Sequence, residues 1–226
     1  KEQRERARAG RQASAEQVVI PDLSHLDTAQ LSVDEEVSTA KVVLLWKDGV
    51  IVNEVHDGED IGIILDVTPF HAEGGGQVSD LGFMEGTLGK LETTAVKKLL
   101  NGTTYHLCHV TEGSLKVNDT VTVKVDLGRR RDIARNHTAT HLLHAALKKI
   151  LGSHVNQAGS FVTPDRLRFD FSHFSSVTAE ELAHVEKSVN QAALHNIPVD
   201  IMETSQDKAK EMGALALFGE KYGDLV

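Results

Sequence analysis

The chain holds one cysteine, Cys108, in 226 residues. That excludes an intrachain disulfide, and a cytoplasmic setting is expected. Long apolar runs are missing too: none approaches the ~18 residues that cross a bilayer, and no secretory leader is legible, so no membrane partner is expected. Positive charge is in short supply. With 24 Lys and Arg against 33 Asp and Glu, the net charge is −9. This gives no whole-surface signal for nucleic acid, although a local patch on a larger assembly escapes such a count. Basic residues do cluster at Arg4, Arg6, Arg8 and Arg11, and again at Arg129, Arg130, Arg131 and Arg135. Each cluster reads first as a solvated face.

What is present is the composition of a globular chain, 40% hydrophobic and 25% charged, long enough for one large domain or two ordinary ones. The ends look cut. There is no initiator Met, Lys1-Glu-Gln-Arg-Glu-Arg reads as a charged helix already under way, and Val226 closes an apolar run. A piece of a longer protein is expected.

Short β-rich runs separated by turn residues occupy the first half, at 41–46, 50–55, 61–67, 81–94, 103–110 and 120–125. Asp48-Gly49 and Asn101-Gly102 read as hairpin turns. Six such runs with almost no helix predict a small antiparallel barrel. From Leu127 onward helix and strand alternate: a helix over about 132–151, strands at 160–162 and 167–171, and a helix from Thr178, whose cap and acidic first turn mark its start. A strand over 198–203 and a helix over 207–212 follow. No internal repeat is visible. The fold class is α+β, an N-terminal small antiparallel β-barrel followed by an α/β-layered domain with a histidine-bearing helix.

The chemistry centres on His137-Thr-Ala-Thr-His141. At about 100° per residue, positions four apart lie one turn above each other, so both rings can reach one ion. A helical projection gathers Leu142, Leu143, Ala146 and Ile150 on one side and His137, His141 and His144 on the other. A purely structural pair is the competing reading. Zinc takes four protein ligands, or three plus water, so the pair is half a site. Cys108 lies in Tyr105-His106-Leu107-Cys108-His109, where strand alternation puts His106 and Cys108 on one face and His109 on the other. Its spacing fits no zinc-ribbon or finger pattern, and it reads as a half-buried structural thiol. The zinc-protease motif requires Glu where Thr138 stands. No Ser-His-Asp set or reactive cysteine is apparent, which disfavours a covalent intermediate.

A second feature is Thr68-Pro-Phe-His71-Ala-Glu73-Gly74-Gly75-Gly76-Gln77. It lacks the Gly-Lys-Ser/Thr of a P-loop and opens no helix, as a dinucleotide fingerprint must. Three glycines permit a wide β-turn, or a loop whose bare N–H groups approach an RNA terminus or a small polar substrate. In the second case Gln77 offers an amide, and His71 and Glu73 polar or acid–base groups. His25, His56, His154, His173, His184 and His195 carry no signal.

Taken together these stretches resemble the editing region of alanyl-tRNA synthetases. The likeness is carried by Leu65-Asp-Val-Thr-Pro-Phe-His-Ala-Glu-Gly-Gly-Gly-Gln-Val-Ser-Asp-Leu-Gly82, Asn136-His-Thr-Ala-Thr-His-Leu-Leu-His144, Leu151-Gly-Ser-His-Val-Asn-Gln-Ala-Gly-Ser160, Leu167-Arg-Phe-Asp-Phe171 and Phe218-Gly-Glu-Lys-Tyr-Gly223. Arg4 to Arg11 resembles the linker helix leading into editing. The resemblance implies residues 1–34 as helical end and linker, 35–128 as barrel, and 129–226 as an editing domain truncated at its C-terminus.

It further implies a hydrolase that cleaves the ester of Ser-tRNA(Ala) or Gly-tRNA(Ala), with the acceptor end of tRNA(Ala) as partner. His137 and His141 would be two of four zinc ligands; the other two, in a Cys-Gly-Gly-Thr-His run, would follow Val226. ATP would serve only an aminoacylation module preceding Lys1. Thr140 and Gln157 match positions used in the editing pocket, and His144 matches no ligand. The ordinary reading of Gln157 is a satisfied amide after a helix. Editing answers a real need, since a small pocket that accepts alanine rejects an added hydroxyl by only about 10². Two alternatives stay open: a free-standing editing deacylase and a non-catalytic RNA-binding module. The sequence assigns no oligomeric state.

Overall fold

In a computed structural model, the structure describes residues 20–21, 23, 29–30, 37–200 and 202–214. The helical end and linker expected over 1–34, apart from those few residues, and the motif at 218–223 lie outside the described residues. The element order is β1 (Ala29–Gln30), β2 (Val37–Lys47), β3 (Val50–Val52), β4 (Glu54–His56), β5 (Asp60–Leu65), β6 (Val67–Thr68), β7 (Gly82–Gly86), β8 (Gly89–Lys98), β9 (Thr104–Lys116) and β10 (Thr120–Val125). Helix α1 (Leu127–Leu151), β11 (Gln157–Val162), β12 (Leu167–Phe171), α2 (Ala179–Leu194) and α3 (Gln206–Glu211) follow. The chain forms two compact units, Lys1–Ala134 with Val162–Asp165, and Arg135–Phe161 with Arg166–Val226.

The first unit is a closed antiparallel barrel. Its strands run in the order β10-β7-β8-β9-β5-β2, and β10 pairs back onto β2 from Thr120 opposite Lys41 to Lys124 opposite Val37. Closure removes the exposed edges that an open sheet would present. Period-two patterning fills the interior with Ile61, Ile63 and Leu65 from β5 and Cys108 and Val110 from β9. In β2 the interior residues are Ala40, Val42 and then Leu45. The change of parity falls at a register shift between Val42 and Leu44, because one extra residue turns the following side chains to the other face. That bulge sends Leu44 and Trp46 outward into a second cluster with Leu23, Ile64 and Tyr105. Trp46 lies across β5 at Gly62, where an added Cβ would stand 2.0 Å from the indole. Each fully buried aliphatic side chain contributes about 1.5–3 kcal/mol.

The run expected as one strand over 81–94 is a hairpin, β7 and β8, because it turns at Glu85–Lys90 with Lys90 opposite Glu85. The run over 61–67 is likewise divided at Asp66. The carboxylate there accepts from its neighbours' backbone N–H groups, Lys41 at 2.7 Å and Val67 at 2.8 Å.

The second unit packs α1 and α2 with the paired strands β11 and β12. Its core is Ala146, Leu147, Val155 and Val185, with Leu143, Ile150, Leu151, Phe169, Phe171 and Val189 against it. Leu143, Ala146 and Ile150 belong to the expected stripe; Leu147 and Leu151 extend it, and Leu142 stays outside the cluster. Helix α2 starts at a capping box: the Thr178 hydroxyl accepts from the Glu181 N–H, and the Glu181 carboxylate accepts from the Thr178 N–H at 2.8 Å. The strand expected over 198–203 does not form among its described residues. Val199 is 79% exposed and Met202 56%, so neither face is buried as a strand in a sheet requires. No helix among the described residues is long and apolar enough to cross a membrane.

Candidate functional site

Helix α1 is capped by Asp126, whose carboxylate accepts from the Arg129 N–H at 3.0 Å. Lys148 and Lys149 in its last turn complement the dipole. The helix begins at Leu127 rather than near 132, so the arginine cluster lies on its first turns. Arg131 and Arg135 are exposed, as a solvated face requires, but Arg129 and Arg130 are partly buried. Arg130 donates through Nε at 3.1 Å and through Nη2 to Asp80, and through Nη2 to the Pro69 carbonyl at 2.6 Å. Arg129 donates to the Ser79 carbonyl. The Asp80 carboxylate, 3% exposed, also accepts from the His71 N–H at 2.6 Å.

This clamp holds the Gly-rich segment, which is a tight turn rather than a wide one. Gly74 and Gln77 exchange backbone hydrogen bonds at 3.2 and 2.8 Å. Between them Gly75 and Gly76 have φ of 57° and 84°, the left-handed pair that glycine adopts without penalty. Gln77 forms a parallel bridge with Val162. Burial, reinforced by Lys98 and Arg130 and opposed by Asp80, holds the His71 imidazole below its usual range. Glu73 is exposed and its N–H donates to the Val96 carbonyl at 2.9 Å.

In the second unit, His137 and His141 are both exposed and their rings stack, with centroids 5.0 Å apart and planes 19° apart. The pair is therefore spared by the core and aligned on successive turns. His144 differs from expectation. Its ring packs on Phe169 at 5.1 Å, and its Nε2 is buried with no hydrogen-bond partner among the described residues. Burial, with Lys148 adding, holds it below the usual imidazole range. The reason is the stripe itself, which Leu147 and Leu151 widen until it reaches position 144.

Thr140 is buried, and its hydroxyl donates to the Asn136 carbonyl one turn back at 2.8 Å. Gln157 opens β11 and donates from Nε2 to the Ser160 hydroxyl at 3.3 Å. Among the described residues no group of three or more His, Cys, Asp and Glu side chains converges to hold a metal. His137 and His141 fit half of a zinc donor set, two imidazoles on one face where zinc takes four donors.

Cys108 and His106 are excluded as ligands. Cys108 is fully buried rather than half-buried, with its Sγ 3.6 Å from the Thr93 hydroxyl, and burial pushes the thiol up to about 12. His106 donates from Nδ1 to the Ile63 carbonyl at 3.2 Å. Its Nε2 therefore accepts from the Thr68 hydroxyl at 2.8 Å. Two groups escaped the sequence reading. Asp80 and Arg130 lie fifty residues apart, and the signal was three adjacent arginines after a capping Asp. His154 and His173, nineteen apart, hydrogen-bond at 2.9 Å, and no local pattern announces such a pair.

Comparison with known proteins gives the family. A sequence profile of the tRNA synthetases class II (A) matches residues 1–129, and the chain belongs to that family. Among individual relatives, the alanine–tRNA ligase of Geobacillus thermodenitrificans (strain NG80-2) is 50% identical over 228 residues, 99% of this chain and 26% of that protein. That of Acetivibrio thermocellus is 50% identical over 199 residues, 88% and 23% respectively. That of Bacillus subtilis (strain 168) is 45% identical over 229 residues, 100% and 26%. The chain thus spans about a quarter of the length of these relatives.

Proposed function

We propose that this chain is the editing portion of an alanine–tRNA ligase working in the cytoplasm, and that it hydrolyses the ester of Ser-tRNA(Ala) and Gly-tRNA(Ala). The observation that carries the reading is the exposed, stacked pair His137 and His141, which the core does not need. The identity to alanine–tRNA ligases over nearly the whole chain supports it. His137 and His141 would hold zinc with donors that follow Val226. Zinc, when bound, lowers the pKa of water or polarises an ester carbonyl. The ATP-dependent ligation reaction would belong to another part of the full-length ligase, since this chain spans about a quarter of the length of its relatives.

The chain's own residues account for selection. The Thr140 proton is committed to Asn136, so the hydroxyl is disposed to accept from the hydroxyl of a misattached serine. Gln157, whose amide nitrogen is engaged by Ser160, has its amide oxygen as the acceptor for a substrate amine or ribose hydroxyl.

The test uses the full-length ligase. His137→Ala is expected to remove bound zinc and to slow Ser-tRNA(Ala) deacylation by about 100-fold or more, since even supporting residues around a metal cost 10–100-fold. Thr140→Val is expected to slow Ser-tRNA(Ala) hydrolysis about tenfold more than Gly-tRNA(Ala) hydrolysis. Unchanged deacylation and zinc content in His137→Ala would overturn the reading, and equal losses on both substrates would remove the role of Thr140.

A further inference from the structure

The loop between β12 and α2 reads Ser172-His-Phe174-Ser-Ser-Val177 and contains no carboxylate, in a chain with 33 of them. Both of its ends are fixed. At one, the Ser172 N–H donates to the Asn156 carbonyl at 3.0 Å. At the other, the carboxylate of Glu181 is tied to the Thr178 N–H and hydroxyl at 2.8 Å each.

On this fixed loop sits an ordered group of rings. The nitrogens of His154 and His173 are 2.9 Å apart while their centroids are 5.1 Å apart and their planes differ by 18°. The two imidazoles therefore lie edge to edge and nearly coplanar. Their facing nitrogens share one N–H···N bond, which occupies both nitrogens and leaves neither to bind an ion. Phe174 stacks on His154 at 4.3 Å with planes 26° apart, and yet is 87% exposed. One face of the phenyl ring is backed by imidazole and the other is open.

We propose that Phe174, backed by the His154–His173 pair, is a stacking platform for an unpaired nucleobase of RNA; this rests on the reading of the chain as part of a tRNA-editing enzyme. The rim decides the ligand class. An aliphatic protein partner requires a continuous apolar patch, whereas this ring is flanked by the imidazoles of His154 and His173, with the Ser175 hydroxyl 3.5 Å from His173 Nε2. A lone, rigid aromatic backed by imidazoles is what stacks a flat base, and the nearby Glu181 carboxylate is held by the Thr178 N–H and hydroxyl. Because both loop ends are fixed beforehand, binding does not have to order the platform.

The test measures binding of this chain, by fluorescence anisotropy, to a hairpin RNA with a four-nucleotide unpaired 3′ tail and to the same hairpin with a blunt end. Phe174→Ala is expected to weaken the tailed hairpin about tenfold, the value of one stacked base, and to leave the blunt hairpin unchanged. Phe174→Trp is expected to restore or exceed the original affinity. Tailed-hairpin binding that Phe174→Ala does not alter would overturn this proposal alone, and so would equal losses on both RNAs. Failure of the unaltered chain to bind either RNA would overturn it together with the reading it rests on.

Discussion

At the residue scale, His106 is a neutral imidazole built into the barrel. One nitrogen donates to Ile63 and the other accepts from Thr68, and complete burial lowers its pKa from 6.5 to about 4. The folded state therefore binds fewer protons than the unfolded state between those two values. Its contribution is fully present above about pH 6.5, the unfolded value, and is lost as the pH falls toward 4. The expected size is up to about 3 kcal/mol, because each pH step between the unfolded and folded values is worth about 1.4 kcal/mol. Urea denaturation at several pH values checks this: stability should decline from pH 6.5 to 4, and His106→Gln should flatten that decline. Parallel profiles for the two proteins would assign the acid sensitivity elsewhere. The sequence allowed this residue only in part. Alternation put His106 and Cys108 on one face correctly, but which face was interior depended on β5 and β8, the strands paired to either side of β9.

At the element scale, the clearest dependence is that of β5 on the bulge in β2. The shift between Val42 and Leu44 turns Trp46 outward over Gly62, and an Ala at 62 would put its Cβ 2.0 Å from the indole. Gly62→Ala is expected to destabilise the barrel by about 1–3 kcal/mol through overpacking, read as a lower urea midpoint with an unchanged slope. A midpoint within error of the parent would show that Trp46 moves aside freely. Strand positions were legible because turn residues bracket alternating runs, as at Asp48-Gly49. The bulge was not, since Val42-Val43-Leu44-Leu45-Trp46 is apolar throughout and its parity change is visible only through its partners. On α1 the spacing of His137 and His141 predicted their alignment, and the rings do stack on the exposed face. His144 was misjudged because an apolar stripe widened by Leu147 and Leu151 turns position 144 toward Phe169.

At the scale of the whole molecule, the α+β arrangement of a closed barrel followed by a helix-and-strand layer was readable from the change in pattern near Leu127. The ion pair between Asp80 and Arg130 was not, because the charges are fifty residues apart and each resembles a surface charge until the chain has folded. The alignment of His137 and His141 on α1 was legible because their spacing is local. The link between His154 and His173 is set by how β11 and β12 pair, which no short window contains.

Trp46 is the one tryptophan in the chain. It is 1% exposed against Tyr105, and its indole nitrogen is buried without a partner among the described residues. Its emission is thus a reporter confined to one half of the polypeptide. Excited at the red edge of its absorption, where indole alone responds, the native protein should emit in the blue, and the red shift on denaturation should time the loss of the barrel alone. Far-ultraviolet ellipticity, dominated by α1 and α2, should follow the other half. Superimposed curves would mean that the two halves melt as one cooperative body, and displaced curves that each keeps its own melting point.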